Sequence, residues 1–153
     1  MEKGPTLSFG LKLPPQARMV SIVRRFVEES FEELVGNVDE VHRISLAVHE
    51  LLENAAKYSV GKRTGLRVRI EPNRPASIEM TNETTPEHIA RLRACVHEIQ
   101  AASEPFAHYQ ALMRRTVGVD EESGLGLARI RAEGNLSLSL EINGAMVTIV
   151  ASG

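Results

Sequence analysis

Residues 49–58 of the chain read His49-Glu50-Leu51-Leu52-Glu53-Asn54-Ala55-Ala56-Lys57-Tyr58. In an α-helix, at 100° per residue, Glu50, Asn54 and Lys57 fall within roughly 60° of arc, away from the centre of the apolar stripe. A carboxylate, an amide and an amine therefore form one polar column. The helix that carries them is predicted to begin with Asp39 as its N-cap and to end near Ser59, before Gly61.

The polar column offers the groups that metal and phosphate chemistry needs. The carbonyl oxygen of Asn54 is a suitable hard ligand for Mg²⁺, which takes its other ligands from phosphates and water. Glu50 could orient or deprotonate an attacking water or hydroxyl, and Lys57 could neutralise phosphate charge. Taken alone, such a column is also typical of a solvated helix face.

A glycine turn follows later in the chain, at residues 123–127: Ser123-Gly124-Leu125-Gly126-Leu127. It precedes a predicted helix over 128–133, and its glycines would let the backbone approach a phosphate at the helix start. Ser123 could instead be a simple N-cap. The turn is not a dinucleotide fingerprint, because the third glycine is missing. Together, the column and the turn predict a site for a magnesium-bound nucleotide.

Composition restricts the class of protein. The 153 residues suit one domain, and the 42% hydrophobic and 25% charged residues are ordinary for a globular chain. No apolar run approaches the ~18 residues that cross a membrane, and the N-terminus lacks a signal-peptide pattern, so we expect a cytoplasmic protein with no membrane partner. The net charge of -2 argues against direct nucleic-acid binding. The single cysteine, Cys95, agrees with a reducing compartment.

Hydrophobic periodicity predicts an α+β fold. Alternation predicts strands, and apolar residues at helical spacing predict helices. Asn143-Gly144 lies between two alternating runs, which is a strong hairpin signal. The predicted order is a strand over 7–13, helices over 18–34 and 39–59, strands over 66–70 and 78–80, two helices over 86–117, a helix over 128–133 and a hairpin over 136–151. We therefore expect a single domain over 1–153, a two-layer α/β sandwich with helices packed on one face of a mixed, largely antiparallel sheet.

With this order of elements, the two stretches resemble the GHKL (histidine kinase-like) ATPase superfamily. Residues 50–58 are similar to its N-box, and the run Ser-Gly-Leu-Gly-Leu-Ala-Arg-Ile over 123–130 resembles the second glycine box of its kinase branches. Leu13-Pro14-Pro15 before the first helix makes the chain look most like the anti-sigma factor serine/threonine kinases of bacterial partner-switching systems. That resemblance implies a histidine kinase-like ATPase fold, with ATP and Mg²⁺ as cofactors.

The resemblance also implies roles for individual residues. Asn54 would be the Mg²⁺ ligand and Glu50 the catalytic base of a kinase. Lys57 and Tyr58 would line the phosphate and base ends of the pocket. The glycine turn would supply the remaining nucleotide contacts, through Ser123, Gly124, Leu125, Gly126 and Leu127. The implied partner is a small antagonist-like protein or a sigma factor, which the chain would bind and could phosphorylate, and a homodimer is also implied.

The chain departs from this family at the base end of the pocket. Where the family has an Asp-x-Gly motif, with the aspartate accepting a hydrogen bond from adenine, this chain has Asn82 and Thr84. An asparagine oxygen can still accept, but without the charge that roughly doubles the strength of such a bond. The same residues could equally form an ordinary strand-end turn. We still count Asn82 among the candidate nucleotide-binding residues.

A second departure is the predicted pair of helices at about 85–118, where these kinases have a mobile ATP lid. The helices could cover the site or present a surface to a partner. Two alternatives therefore remain open beside the kinase. One is a degenerate, nucleotide-independent binding module of the same fold. The other is the ATP-binding half of a split histidine kinase, although no phospho-acceptor helix is evident and His49 lies inside the N-box itself.

Overall fold

The structure is a computed structural model and describes residues 6–116 and 124–153. Ser123, one of the predicted site residues, lies outside these ranges. The described residues form helices and strands in the predicted order, and the α+β fold is confirmed. The elements are β1 (Leu7–Lys12), α1 (Ala17–Leu34), α2 (Val38–Tyr58), β2 (Thr64–Ile70), β3 (Ser77–Glu83), α3 (Pro86–Ala101), α4 (Pro105–Thr116), α5 (Leu125–Ala132), β4 (Ser137–Asn143) and β5 (Met146–Ser152).

The strands form one sheet in the order β1-β2-β3-β5-β4, and each neighbouring pair is antiparallel. The sheet is thus more regular than the mixed, largely antiparallel one predicted. Side chains alternate between its faces: in β2, Leu66 and Val68 are buried while Arg67 and Arg69 are exposed. The buried face packs against the helices, so the architecture is the two-layer sandwich that the alternation predicts.

Helix α2 begins two residues earlier than predicted, because Asn37 rather than Asp39 is its N-cap. The side-chain oxygen of Asn37 accepts hydrogen bonds from the backbone N–H groups of Asp39 and Glu40, at 3.1 and 3.2 Å. Asp39 and Glu40 then lie in the first turn, where negative charge favours the helix dipole. Both caps are chemically reasonable; Gly36, with a φ of +68°, ends α1 immediately before and leaves Asn37 in the capping position.

The C-terminal hairpin is confirmed, although its turn differs in one detail from the predicted Asn-Gly turn. Asn143 is the last residue of β4 and pairs with Met146, so Gly144 and Ala145 are the two residues of the turn. Gly144 has a φ of +61°, and Ala145 does not have a positive φ. This pattern fits a type II′ turn, in which glycine takes the first central position.

Helices α3 and α4 occupy the segment in which two amphipathic helices were predicted. Pro86 lies in the first turn of α3, and the Thr85 hydroxyl caps it by accepting a hydrogen bond from the His88 N–H. The side chain of Gln100 donates to the carbonyl of Leu138, at 2.9 Å, which ties α3 to the edge strand β4. Within residues 6–116 and 124–153, no helix combines the length and apolarity needed to cross a bilayer.

Candidate functional site

The two motifs that lie far apart in sequence meet in one cleft, between the C-terminal half of α2 and the start of α5. The cleft has a volume of about 120 Å³. It contains every predicted site residue within the described ranges except Asn82, and it adds Glu53, which the sequence pattern did not single out. Its lining residues are Glu50, Glu53, Asn54, Lys57, Tyr58, Gly124, Leu125, Gly126 and Leu127.

Both glycines of the turn are in close contact with side chains of this chain itself. A methyl group on Gly126 would overlap the carboxylate of Glu50, and one on Gly124 would overlap the thiol of Cys95. Gly124 also has a φ of +70°, a conformation that favours glycine. The glycines therefore let α5 approach both α2 and α3. Their predicted contact with phosphates stays a prediction.

Arg129, which the sequence pattern did not single out, forms an ion pair with Glu50, the predicted catalytic base. Nη1 of Arg129 lies 3.3 Å from Oε1 of Glu50, and Nε of Arg129 donates to Glu133 at 2.8 Å. Arg129 belongs to the run that resembles a glycine box, but at 79 residues from Glu50 the pairing leaves no local signal in the sequence. The ion pair joins α2 to α5.

The environment of Glu50 raises the pKa of its carboxyl above the ordinary value of 4.5. Burial is the largest cause, because it penalises the charged form, and the nearby Glu53 adds to it. His49 and Arg129 act in the opposite direction but do not cancel the effect of burial. A carboxylate with a raised pKa is better suited to accept a proton near neutral pH than an ordinary surface glutamate.

This raised pKa predicts how stability depends on pH at position 50. The folded state binds the Glu50 proton more tightly than the unfolded state, so stability falls as the pH rises above 4.5 through the folded-state pKa. We expect Glu50→Gln to have a higher Tm than the wild type at pH 7, with the difference shrinking towards pH 4. Thermal melts at both pH values test this.

The control for that experiment is Glu53→Gln, one turn away, where the carboxylate is largely exposed. We expect its melting curve to stay close to that of the wild type at both pH values. If Glu50→Gln melted below the wild type at pH 7, the ion pair with Arg129 would outweigh the cost of burying Glu50.

A larger cavity, of about 390 Å³, adjoins the cleft and lies between α2, α3 and α4. The two spaces share Asn54, Tyr58, Gly124 and Leu127. At their junction the ring of His88 stacks on Tyr58, with the centroids 4.2 Å apart. Helices α3 and α4 therefore form a wall of this cavity.

The cavity wall on α3 carries the only cysteine of the chain. Burial, with a smaller effect of Glu98, raises the pKa of the Cys95 thiol to about 11. At neutral pH the thiol is protonated and weakly nucleophilic. The thiol of Cys95 packs against Gly124.

The residues predicted at the base end of the pocket make internal contacts instead. Asn82 is 1% exposed, and it lines neither of the two cavities. The Thr84 hydroxyl donates to the carbonyl of Tyr58 at 2.8 Å, and the Thr84 N–H donates to Ala145 at 3.0 Å. These contacts tie the end of α2 to the end of β3, as an ordinary strand-end turn would. A role of Asn82 in binding a base stays a prediction.

The residues of the cleft suit a magnesium ion that is already bound to a phosphate better than a free magnesium ion. In the part of the chain that the structure describes, no group of three His, Cys, Asp or Glu side chains could hold a metal ion. Asn54, Glu50 and Glu53 nevertheless present oxygen ligands on one side of the cleft, and Lys57 adds a positive charge. Mg²⁺ commonly uses one or two protein oxygens and completes its shell with phosphates and water.

No protein-family model matches the chain. No curated protein matches its sequence either. Among solved structures, the chain is similar to a chain of the SiaB-SiaC complex from Pseudomonas aeruginosa, with a TM-score of 0.66. The match covers 96% of this chain and 89% of that chain at 16% sequence identity. At this identity the likeness shows the fold alone, and it supports the α+β architecture over almost the whole length.

Proposed function

We propose that the chain is a regulatory protein with a histidine kinase-like ATPase fold, which binds a magnesium nucleotide in the α2–α5 cleft and acts through a partner protein. One observation carries the proposal. The N-box-like and glycine-box-like motifs lie far apart in the sequence. The fold nevertheless brings Glu50, Asn54, Lys57 and both glycines around one cleft. A solvated helix face would not need a second motif opposite it.

Each side of the cleft would bind a different part of the ligand. Asn54 would supply an oxygen to Mg²⁺, and the amine of Lys57 would contact phosphate oxygens. The start of α5 lines the same space through Gly124, Leu125 and Gly126, and the N–H groups of a helix start favour negative charge. Bound Mg²⁺ would neutralise phosphate charge. If phosphotransfer occurs, Glu50 would accept the proton of a serine or threonine hydroxyl on the partner.

Partner binding is supported by an exposed apolar surface on α1. Ile22 is 59% exposed and Phe26 is 51% exposed, although both are large and apolar. Phe26 meets Phe9 of β1 edge to face, with ring centroids 5.3 Å apart, so the surface continues onto the edge strand of the sheet. We call Ile22, Phe26 and Phe9 the α1–β1 surface. An antagonist-like protein, a sigma factor or a second copy of the chain would bury it there.

The solved structure that resembles this chain was determined as a complex of two proteins, SiaB and SiaC. That association supports a partner-binding role for this chain as well.

Titration calorimetry with ATP and Mg²⁺ tests the proposal. We expect binding by the wild type and an increase in Kd of at least about tenfold for Asn54→Ala, because the variant loses the metal's protein ligand. Asn143→Ala is the matched control, since Asn143 is exposed at the end of β4 and does not line the cleft. Omission of Mg²⁺ should weaken binding to the wild type more than binding to Asn54→Ala.

The nucleotide proposal fails if the folded wild type gives no heat at millimolar ATP. A result in which Asn54→Ala binds as tightly as Asn143→Ala would place the nucleotide elsewhere. Circular dichroism of each variant shows whether it is folded.

A second candidate function is a nucleotide-independent binding module of the same fold. Two observations favour it. The end of β3, at Asn82 and Thr84, makes contacts within the protein, and the carboxylate of Glu50 is already paired with Arg129. In that case Glu50→Ala and Asn54→Ala would both leave partner binding unchanged. The binding module is rejected if Asn54→Ala loses partner binding and the wild type loses it in the same way when ATP is absent.

A further inference from the structure

We infer that the base of the nucleotide binds in the larger cavity, between α3 and α4, and that it does not contact Asn82. This inference rests on the proposed nucleotide-binding function and assigns the base to a specific part of the site. Helices α3 and α4 would then take part in recognising the base.

The first argument is continuity. A nucleotide with its phosphates between Lys57 and the start of α5 must place its base in a space that adjoins the cleft. The larger cavity adjoins it, with Asn54 and Tyr58 on the shared wall. Its volume of about 390 Å³ falls in the range of roughly 300–1,000 Å³ that is typical of small-molecule sites. The cleft alone, at about 120 Å³, is too small for a whole nucleotide.

The second argument is the chemistry of the cavity wall. A purine needs apolar surface for its faces and polar groups for its edge. Leu92, Leu112 and Leu127 supply apolar surface. The carboxylate of Glu98 lies at the rim, 3.7 Å from Nε2 of His108, and can accept a hydrogen bond from the exocyclic amine of adenine.

The third argument is the lack of space at the alternative position. Asn82 is 1% exposed, and the backbone that follows it is bonded to the end of α2 and the residues just beyond. The carbonyl of Glu83 accepts a hydrogen bond from Val60, and Thr84 bonds to the carbonyl of Tyr58. To reach Asn82, a base would have to separate the end of α2 from β3. The cavity on the α3 side needs no such rearrangement.

The test uses a bulky residue that fills the cavity from its exposed rim. Ala94 lies on α3, is exposed and lines the cavity, so Ala94→Trp would occupy the space for the base without disturbing the core. Ala90 is one helical turn earlier, is also exposed and does not line the cavity. Ala90→Trp is therefore the matched control. Calorimetry is performed on both variants with magnesium ATP and with magnesium tripolyphosphate, which has no base.

We expect Ala94→Trp to weaken ATP binding at least about tenfold while its affinity for tripolyphosphate equals that of the wild type. Ala90→Trp should bind both ligands normally. Retained binding of tripolyphosphate also shows that Ala94→Trp is folded. Glu98→Ala, which removes the acceptor but keeps the space, should weaken binding of ATP and not of tripolyphosphate.

Two results would overturn the inference, and they differ. If Ala94→Trp binds ATP like the wild type while Asn54→Ala does not, the proposed nucleotide function holds and the base lies elsewhere. If the wild type binds neither ATP nor tripolyphosphate, the proposed function fails and the inference fails with it.

Discussion

Replacement of Phe31 by alanine is expected to lower the free energy of unfolding by about 3–5 kcal/mol, the usual cost of removing a fully buried phenylalanine. Phe31 is 0% exposed and belongs to the hydrophobic core, with its ring centroid 6.5 Å from that of Phe9 on β1. Removal of the ring leaves a cavity that the surrounding helix and strand can close only in part. Urea denaturation followed by circular dichroism measures the loss.

The same helix provides a matched control. Phe26 also contacts Phe9, but it is 51% exposed, so Phe26→Ala removes a ring that is already partly in water. We expect that variant to lose less than about 1.5 kcal/mol. If the two variants lost equal stability, α1 would not be oriented on the sheet as described. If Phe26→Ala also weakened partner binding, the α1–β1 surface would gain direct support.

This pair of residues shows how far the sequence determines the fold. The apolar spacing along 18–34 predicts a helix, and the helix is there. The spacing does not say which part of a wide apolar stripe is buried, because both Phe26 and Phe31 belong to it. Both rings meet Phe9 of β1, so the choice between them depends on how α1 packs against the rest of the core, chiefly α2, rather than on the pattern within α1.

The strands were predictable for a local reason. Alternation in 66–70 and 136–151 places one set of side chains on each face of the sheet, and the hairpin signal at Gly144 joins β4 to β5. The pairing of β3 with β5 joins segments far apart in the chain, and no local pattern encodes it. The order of strands in the sheet was therefore not predicted from periodicity.

The candidate site also contains some residues that could be predicted from the sequence and others that could not. Glu50, Asn54 and Lys57 could be predicted because helical geometry alone puts them on one side of α2. Arg129 and Cys95 could not, because they reach the site through packing of α5 and α3 against α2. A resemblance between motifs identifies which residues a family uses. It does not identify which side chains of this particular chain hold them in place.

Replacement of Gly124 by alanine is expected to lower the free energy of unfolding by about 2–5 kcal/mol, through two separate effects. Its φ of +70° costs an alanine roughly 1–2 kcal/mol. Its new methyl group would also overlap the thiol of Cys95, and overpacking of this kind costs about 1–3 kcal/mol. Gly144→Ala isolates the first effect, because Gly144 has a φ of +61° and no atom lies within 4 Å of the added methyl position.

A double-mutant cycle isolates the second effect. Cys95→Ala removes the overlapping sulfur atom, so Gly124→Ala should cost less in the Cys95→Ala background than in the wild type, with a coupling of about 1–3 kcal/mol in urea denaturation. The cost that remains should match that of Gly144→Ala. Equal costs in both backgrounds would show that the thiol does not restrict Gly124. The glycine would then be needed for its backbone conformation or for a ligand, and the phosphate contact implied by the family resemblance would become the stronger explanation of the motif.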